Sequence, residues 1–323
     1  MNRRHTLTAL SAWLVSASFW VSAEKSKGLP TVGLLMTSIK YDDPLLGALR
    51  RALTKLGYVE GENIRFEFRS AYGEAERLPS LANDLAQRKV DLIVAAPDAS
   101  VLAARRSITT IPIVMLMFTA DPVETGVIDS FGKPGANIAG LYGRVSESVA
   151  KRLQLLREII PTLSRVGVLY NDTNPILPDL QRAARELAVH LVPIALKGPS
   201  AKRYVAALDV AHQKKVGALM ADAIAYARRE EFAQLALQRR VPTINTFLQY
   251  TEAGGLASYG PDNEAVFARS AYFVDRLLKG VRPGELPVEQ MTSFKFAVNL
   301  RTAKALGIII PESILLRADE VIR

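Results

Sequence analysis

The chain has 323 residues, with 41 lysines and arginines against 32 aspartates and glutamates, three histidines and no cysteine. Without cysteine it has no disulfide scaffold, no thiolate zinc site and no thiol nucleophile, and three histidines are too few for a His-rich metal centre. The length accommodates two ordinary domains. The formal charge of +9 is spread along the chain, with no Lys/Arg run dense enough to track a phosphate backbone, so nucleic acid is not an expected partner.

The first segment reads as a leader. Arg3 and Arg4 precede an apolar and small-residue stretch from Leu7 to about Val21, and Val21-Ser22-Ala23 supplies small residues before a cleavage point. That layout predicts a secretory signal peptide over 1–23, with Glu24 as the new N-terminus and a periplasmic destination. No cysteine follows the cleavage point, so no lipid anchor is expected there. Both tryptophans, Trp13 and Trp20, leave with the leader, as do two arginines, which lowers the charge to +7.

From Thr31 short apolar runs alternate with amphipathic segments. Val32-Gly33-Leu34-Leu35-Met36 predicts a buried strand. Leu45, Leu49, Leu53 and Leu56 then share one helical face that stops at Gly57. A period-2 strand over Ile64–Phe68, a helix over Leu78–Arg88, a buried strand over Val90–Ala95, a short helix and a strand over Ile111–Met117 follow. Alternation of this kind implies βαβ units and a parallel sheet. The pattern then restarts: Arg165–Tyr170 echoes the first strand, a helix runs from about Leu177 to Val189, and Gly217–Ala223 echoes the stretch from Asp91 to Asp98. The expectation is an α/β chain of two Rossmann-like lobes, each about half of the exported length.

In open parallel sheets, ligands sit beyond the carboxyl ends of the strands. That rule selects Thr37-Ser38, Ala96-Pro97-Asp98-Ala99-Ser100 and Phe118-Thr119-Ala120-Asp121 in the first half. In the second half it selects Asn171-Asp172-Thr173-Asn174, Asp222-Ala223, Asn245-Thr246 and Ser258-Tyr259-Gly260. The ligand-binding candidates are therefore Thr37, Ser38, Pro97, Asp98, Ser100, Thr119, Asp121, Asn171, Asp222, Asn245 and Tyr259. Hydroxyls, amides and carboxylates suit a small polar ligand and need neither metal nor cofactor.

Structural roles compete at several of these positions. Asp121 before Pro122, with Glu124 three residues on, is a capping box. Asp98 can cap the helix after it, Asn171-Asp172 before Pro175 is a turn signature, and Tyr259 can pack at a strand end as readily as cover a ligand. Catalytic motifs are absent: there is no G-x-S-x-G, H-E-x-x-H, G-x-x-x-x-G-K-[ST] or G-x-G-x-x-G. His190 lies in a strand-like run and His212 in a polar helix end, neither placed as a catalytic base.

A set of ordered motifs then points to one family. They are Gly57-Tyr58-Val59-Glu60-Gly61-Glu62-Asn63, Arg77-Leu78-Pro79, Thr110-Ile111-Pro112-Ile113-Val114, Asp121-Pro122-Val123 and Gly132-Lys133-Pro134-Gly135-Ala136-Asn137-Ile138. Lys151-Arg152-Leu153-Gln154-Leu155-Leu156, Gly254–Gly260, Asn299–Gly307 and Arg317–Ile322 complete the order. From about Pro30 to Arg323 the chain resembles the ABC-transporter substrate-binding proteins of tryptophan/tyrosine type, which look like type I periplasmic binding proteins.

The resemblance implies two lobes joined by three crossovers, near 141–144, 257–260 and 283–290. The lobes would comprise 24–143 with 257–283, and 144–256 with 284–323. It further implies a monomer that binds an amino acid or related solute in the interlobe cleft, then docks on an inner-membrane ABC permease served by its ATPase. No enzyme activity follows from it. A signal-relaying sensor and, more distantly, an exported α/β enzyme are the alternatives. An acid at position 98 departs from the small Gly/Pro-rich segment of many relatives and offers a partner for a ligand ammonium.

Overall fold

Uninterrupted apolar runs form the strands, and leucines recurring every three to four residues form the helices that cover them. The computed structural model describes residues 28–135, 137–143, 145–170, 178–221 and 223–323, without the side chains of 145–147 and 223. The expected leader, Asn171 and Asp222 lie outside the described residues. Within them no helix is long and apolar enough to cross a membrane.

The first lobe begins with β1 (Thr31–Met36), α1 (Pro44–Lys55), β2 (Arg65–Ser70), α2 (Leu78–Gln87) and β3 (Leu92–Ala96). It continues through α3 (Asp98–Ser107), β4 (Ile113–Phe118) and β5 (Ile138–Tyr142). The chain then enters the second lobe with α4 (Val145–Ile159), β6 (Arg165–Tyr170), α5 (Pro178–Glu186), β7 (His190–Ala195), α6 (Ala201–Gln213) and β8 (Ala218–Met220). There follow α7 (Arg229–Gln238), β9 (Thr243–Asn245), α8 (Leu248–Glu252) and β10 (Ala257–Pro261). Next, α9 (Asn263–Leu278) returns to pack on α1, and β11 (Glu289–Gln290) joins the first sheet beside β5. Finally β12 (Phe294–Asn299), α10 (Leu300–Leu306), α11 (Glu312–Leu315) and β13 (Glu320–Ile322) complete the second lobe.

The six-stranded first sheet has the order β11-β5-β4-β3-β1-β2, and its pairs are all parallel. The seven-stranded second sheet has the order β13-β12-β10-β9-β8-β6-β7, parallel except where β12 meets β10. The winding β2-β1-β3-β4-β5 recurs as β7-β6-β8-β9-β10. Each lobe therefore reverses its strand order at an equivalent place, between β1 and β3 and between β6 and β8. Those are the topological switch points at which such sheets leave a crevice.

The chain passes between lobes three times: between β5 and α4, between β10 and α9, and between β11 and β12. Gly260 sits on the second passage, where a Cβ would overlap the carbonyl oxygen of Thr246. Only glycine permits that approach of two backbones.

Local differences from the sequence expectation have physical reasons. Leu45, Leu49 and Leu53 are buried, but α1 ends at Lys55 and Leu56 becomes a C-cap that is 47% exposed. Asp121 caps as expected, yet residues 122–126 form turns and no helix. His190 stands exposed on the edge strand β7, and His212 is exposed in the last turn of α6.

Candidate functional site

The two carboxyl edges face each other. Asp43, which follows β1, contacts Tyr226 and Arg229, which follow β8. Gly73, which follows β2, abuts the ring of Pro199, which follows β7, so closely that a Cβ at position 73 would overlap it. Loops at the carboxyl ends of both sheets thus meet.

On the first lobe, the candidates after β1, β3 and β4 form two hydrogen-bonded pairs, Thr37 with Ser100 and Asp98 with Thr119. The Thr37 hydroxyl shares a 2.8 Å hydrogen bond with the Ser100 hydroxyl, and the Thr37 N–H donates to the carbonyl of Ala96 at 3.0 Å. Asp98, the first residue of α3, accepts from the Thr119 N–H at 2.9 Å, from the Thr119 hydroxyl at 3.0 Å and from the Ala120 N–H at 3.3 Å. Burial pushes its carboxyl above the usual aspartate range, while those donors pull it back. Pro97 follows a cis peptide bond and directs the chain from β3 into α3. Ser38 is buried at 7% exposure beside Thr37 in sequence.

Thr119 has both of its donors on Asp98, so a ligand carboxylate would look to other groups. Asp98 Oδ2 accepts from the Thr119 hydroxyl at 3.0 Å, and a carboxylate oxygen can accept more than one hydrogen bond. Asp121 uses Oδ1 to accept from the N–H groups of Val123 at 2.8 Å and Glu124 at 3.2 Å.

On the second lobe, Asn245 ends β9 fully buried, and its Oδ1 accepts from the Phe247 N–H at 3.0 Å. Asn245 pairs in register with Ser258, which brings Tyr259 next along β10. The Tyr259 ring stacks on Phe294 with centroids 5.8 Å apart and meets Phe296 edge-on at 6.5 Å. That ring is anchored within its own lobe. Beside it a recess lined by Thr246, Gln249, Asn263 and Lys295 holds about 10 Å³, the size of one water.

The sequence reading passed over two features. Arg152 of α4 is fully buried, and its Nη1 donates to the Tyr259 carbonyl at 3.2 Å and to the Ser148 hydroxyl at 3.4 Å. Its one sequence signal is its place on the apolar stripe of Val149, Leu153 and Leu156, where a lysine-arginine pair reads as solvated. The contact of Asp43 with Tyr226 and Arg229 joins positions nearly two hundred residues apart, and no local pattern encodes it. Among the described residues, no group of three or more His, Asp or Glu is placed to hold a metal ion.

Comparison with known proteins now adds to this geometry. The model of the ABC transporter substrate binding protein family matches residues 43–322. The chain is 28% identical over 262 residues to a tyrosine-binding protein of Clostridioides difficile, covering 79% of this chain and 74% of that one. A conserved domain protein of Vibrio cholerae superposes with a TM-score of 0.78 at 25% identity, over 91% of this chain and all of that one. An ABC domain in complex with L-Trp from Streptococcus pneumoniae superposes with a TM-score of 0.77 at 20% identity, over 91% of this chain and all of that one.

Proposed function

The chain belongs to the ABC transporter substrate-binding protein family, and we propose that it is the exported solute-binding component of an importer, taking an amino acid or close relative between its lobes. The observation that carries this reading is the opposition of the two carboxyl edges. The hydroxyls of Thr37 and Ser100 and the Asp98 carboxylate near the first of those edges support a small polar ligand held between the lobes. The relatives that bind tyrosine and tryptophan support the amino-acid class.

In this reading the expected lobes, 24–143 with 257–283 and 144–256 with 284–323, are adjusted at their joins, because β10 (Ala257–Pro261) pairs within the second sheet and β11 (Glu289–Gln290) within the first. The leader over 1–23 delivers a monomer to the periplasm, where it presents its ligand to an inner-membrane permease and ATPase. Nucleic acid has no part in it. The ligand ammonium pairs with Asp98, assisted by Asp121 or Asp222. The carboxylate meets hydroxyls and N–H groups near Thr37, Ser38 and Ser100, with Pro97 and Thr119 shaping that wall and Asn171, Asn245 and Tyr259 the opposite one. Closure follows because a ligand touching both lobes binds the closed state better than the open one.

Mass spectrometry of the protein purified without added solute tests this. The expected result is a co-purified amino acid or related zwitterion, released on unfolding. Recovery of a sugar or a nucleotide as the bound species would sink the amino-acid assignment.

A further inference from the structure

The lobes touch through a charged cluster that a permanently wet cleft would not need. Asp43 has no exposed side-chain surface, and its Oδ2 lies 3.1 Å from Nη1 of Arg229, whose side chain is 11% exposed. The Tyr226 hydroxyl, also buried, donates to the same carboxylate at 3.1 and 3.2 Å. We infer that Asp43 on one lobe and the Tyr226–Arg229 pair on the other form an ionic clasp that sets the balance between open and closed forms. The clasp rests on the proposed cleft motion, although its test needs no ligand.

Each half of the clasp is held by its own lobe. The Asp43 N–H donates to the Lys40 carbonyl at 3.2 Å, and Oδ1 caps α1 through the Leu45 N–H at 3.1 Å. The loop before it is pinned by Arg50, which donates to the Tyr41 carbonyl at 3.0 Å and pairs with Glu60 at 3.1 Å. On the other side the Arg229 guanidinium lies 4.7 Å from the Tyr226 ring centroid, and Nε is 3.4 Å from Glu230. The Tyr226 ring in turn packs on Phe247 at 4.3 Å. Each half therefore has contacts within its own lobe besides those across the interface, which is what a reversible contact requires.

The energetics favour a balance over a weld. Burying both charges costs much of what their attraction returns, so an intact pair is close to neutral. Removing one partner is different, because the remaining charge is then buried alone in the closed form and hydrated in the open form. The penalty falls on closure and spares the fold of either lobe.

The chain has no cysteine, so Lys55→Cys and Lys214→Cys, both at exposed positions on opposite lobes, accept spin labels specifically. Electron–electron double resonance on the ligand-free protein then reads the interlobe distance. The expected result is a substantial short-distance population in the parent, and a shift toward longer distances in Arg229→Met of roughly tenfold or more in the open-to-closed ratio. Tyr226→Phe, which removes one hydroxyl, shifts it in the same direction by less. Asp43→Asn combined with Arg229→Met, which keeps the cap and leaves no lone charge, recovers part of the short population. A parent already at the long distance, an unchanged distribution in both single variants, or a double variant as open as Arg229→Met alone would overturn the clasp. These outcomes are separable from the ligand assignment, because a protein that binds no amino acid still reports its interlobe distance.

Discussion

Asp98 is the residue whose two roles can be told apart. It ties the end of β3 to the end of β4 through Thr119, and it brings a carboxylate to the first lobe's cleft edge. Burial raises its pKa in the folded state above the unfolded value of about 3.9. A carboxyl raised in this way contributes stability that is fully present below the unfolded pKa and is lost as pH rises through the folded one. Asp98→Asn keeps an acceptor for the Thr119 and Ala120 N–H groups and removes the charge. The melting temperature of Asp98→Asn relative to the parent should therefore rise over the pH window above the unfolded value of about 3.9. A relative fall over that window would mean that the fold favours the ionised carboxylate. Arg152 shows the reverse case, a charged side chain taken wholly into the interior, where it bonds the carbonyl of Tyr259 and fixes β10 against α4.

At the scale of elements, β10 is the strand on which the second passage between lobes depends. It pairs in parallel with β9 and antiparallel with β12, and Gly260 lets it lie against Thr246 just before the chain leaves for α9. Gly260→Ala forces two backbones apart, and overpacking of that kind costs about 1–3 kcal/mol. Urea unfolding should show that loss, whereas Gly57→Ala, at a helix end with open space around it, should act only through its positive φ. A Gly260→Ala protein as stable as the parent would show that β10 is free to shift.

The elements themselves were largely legible in the residues. Runs such as Arg165–Tyr170 have the composition of buried parallel strands, and the leucines of α1 mark its inner face. The ends were harder to place: α1 stops before Leu56, and the Asp121 capping box opens a turn where the sequence pattern suggested a helix. A cap satisfies the first N–H groups of either, so the motif alone cannot decide. The strand-end rule selected Thr37, Asp98, Ser100 and Thr119, which the structure joins as two pairs, Thr37 with Ser100 and Asp98 with Thr119. It could not find Arg152, which imitates a solvated helix residue, nor the contact between Asp43 and Arg229, which exists only once both lobes are folded and facing.

For the whole molecule, two equivalent windings give each lobe a switch point, and carboxyl-end loops of the two lobes meet. A net charge of +9 gave no hint of this arrangement. Exposed surface pairs such as Arg239–Asp209 and Arg269–Glu289 contribute little each. Both tryptophans lie at positions 13 and 20, so residues 24–323 lack indole and a tryptophan ligand would report its own emission there.

Calorimetric titration of residues 24–323 with the L-amino acids is the most direct test of amino-acid binding between the lobes. The account predicts saturable one-to-one binding of at least one of them, weakened about tenfold or more (roughly 1.4 kcal/mol) by Asp98→Asn. Absence of heat with every amino acid, or equal affinity in parent and variant, would contradict it.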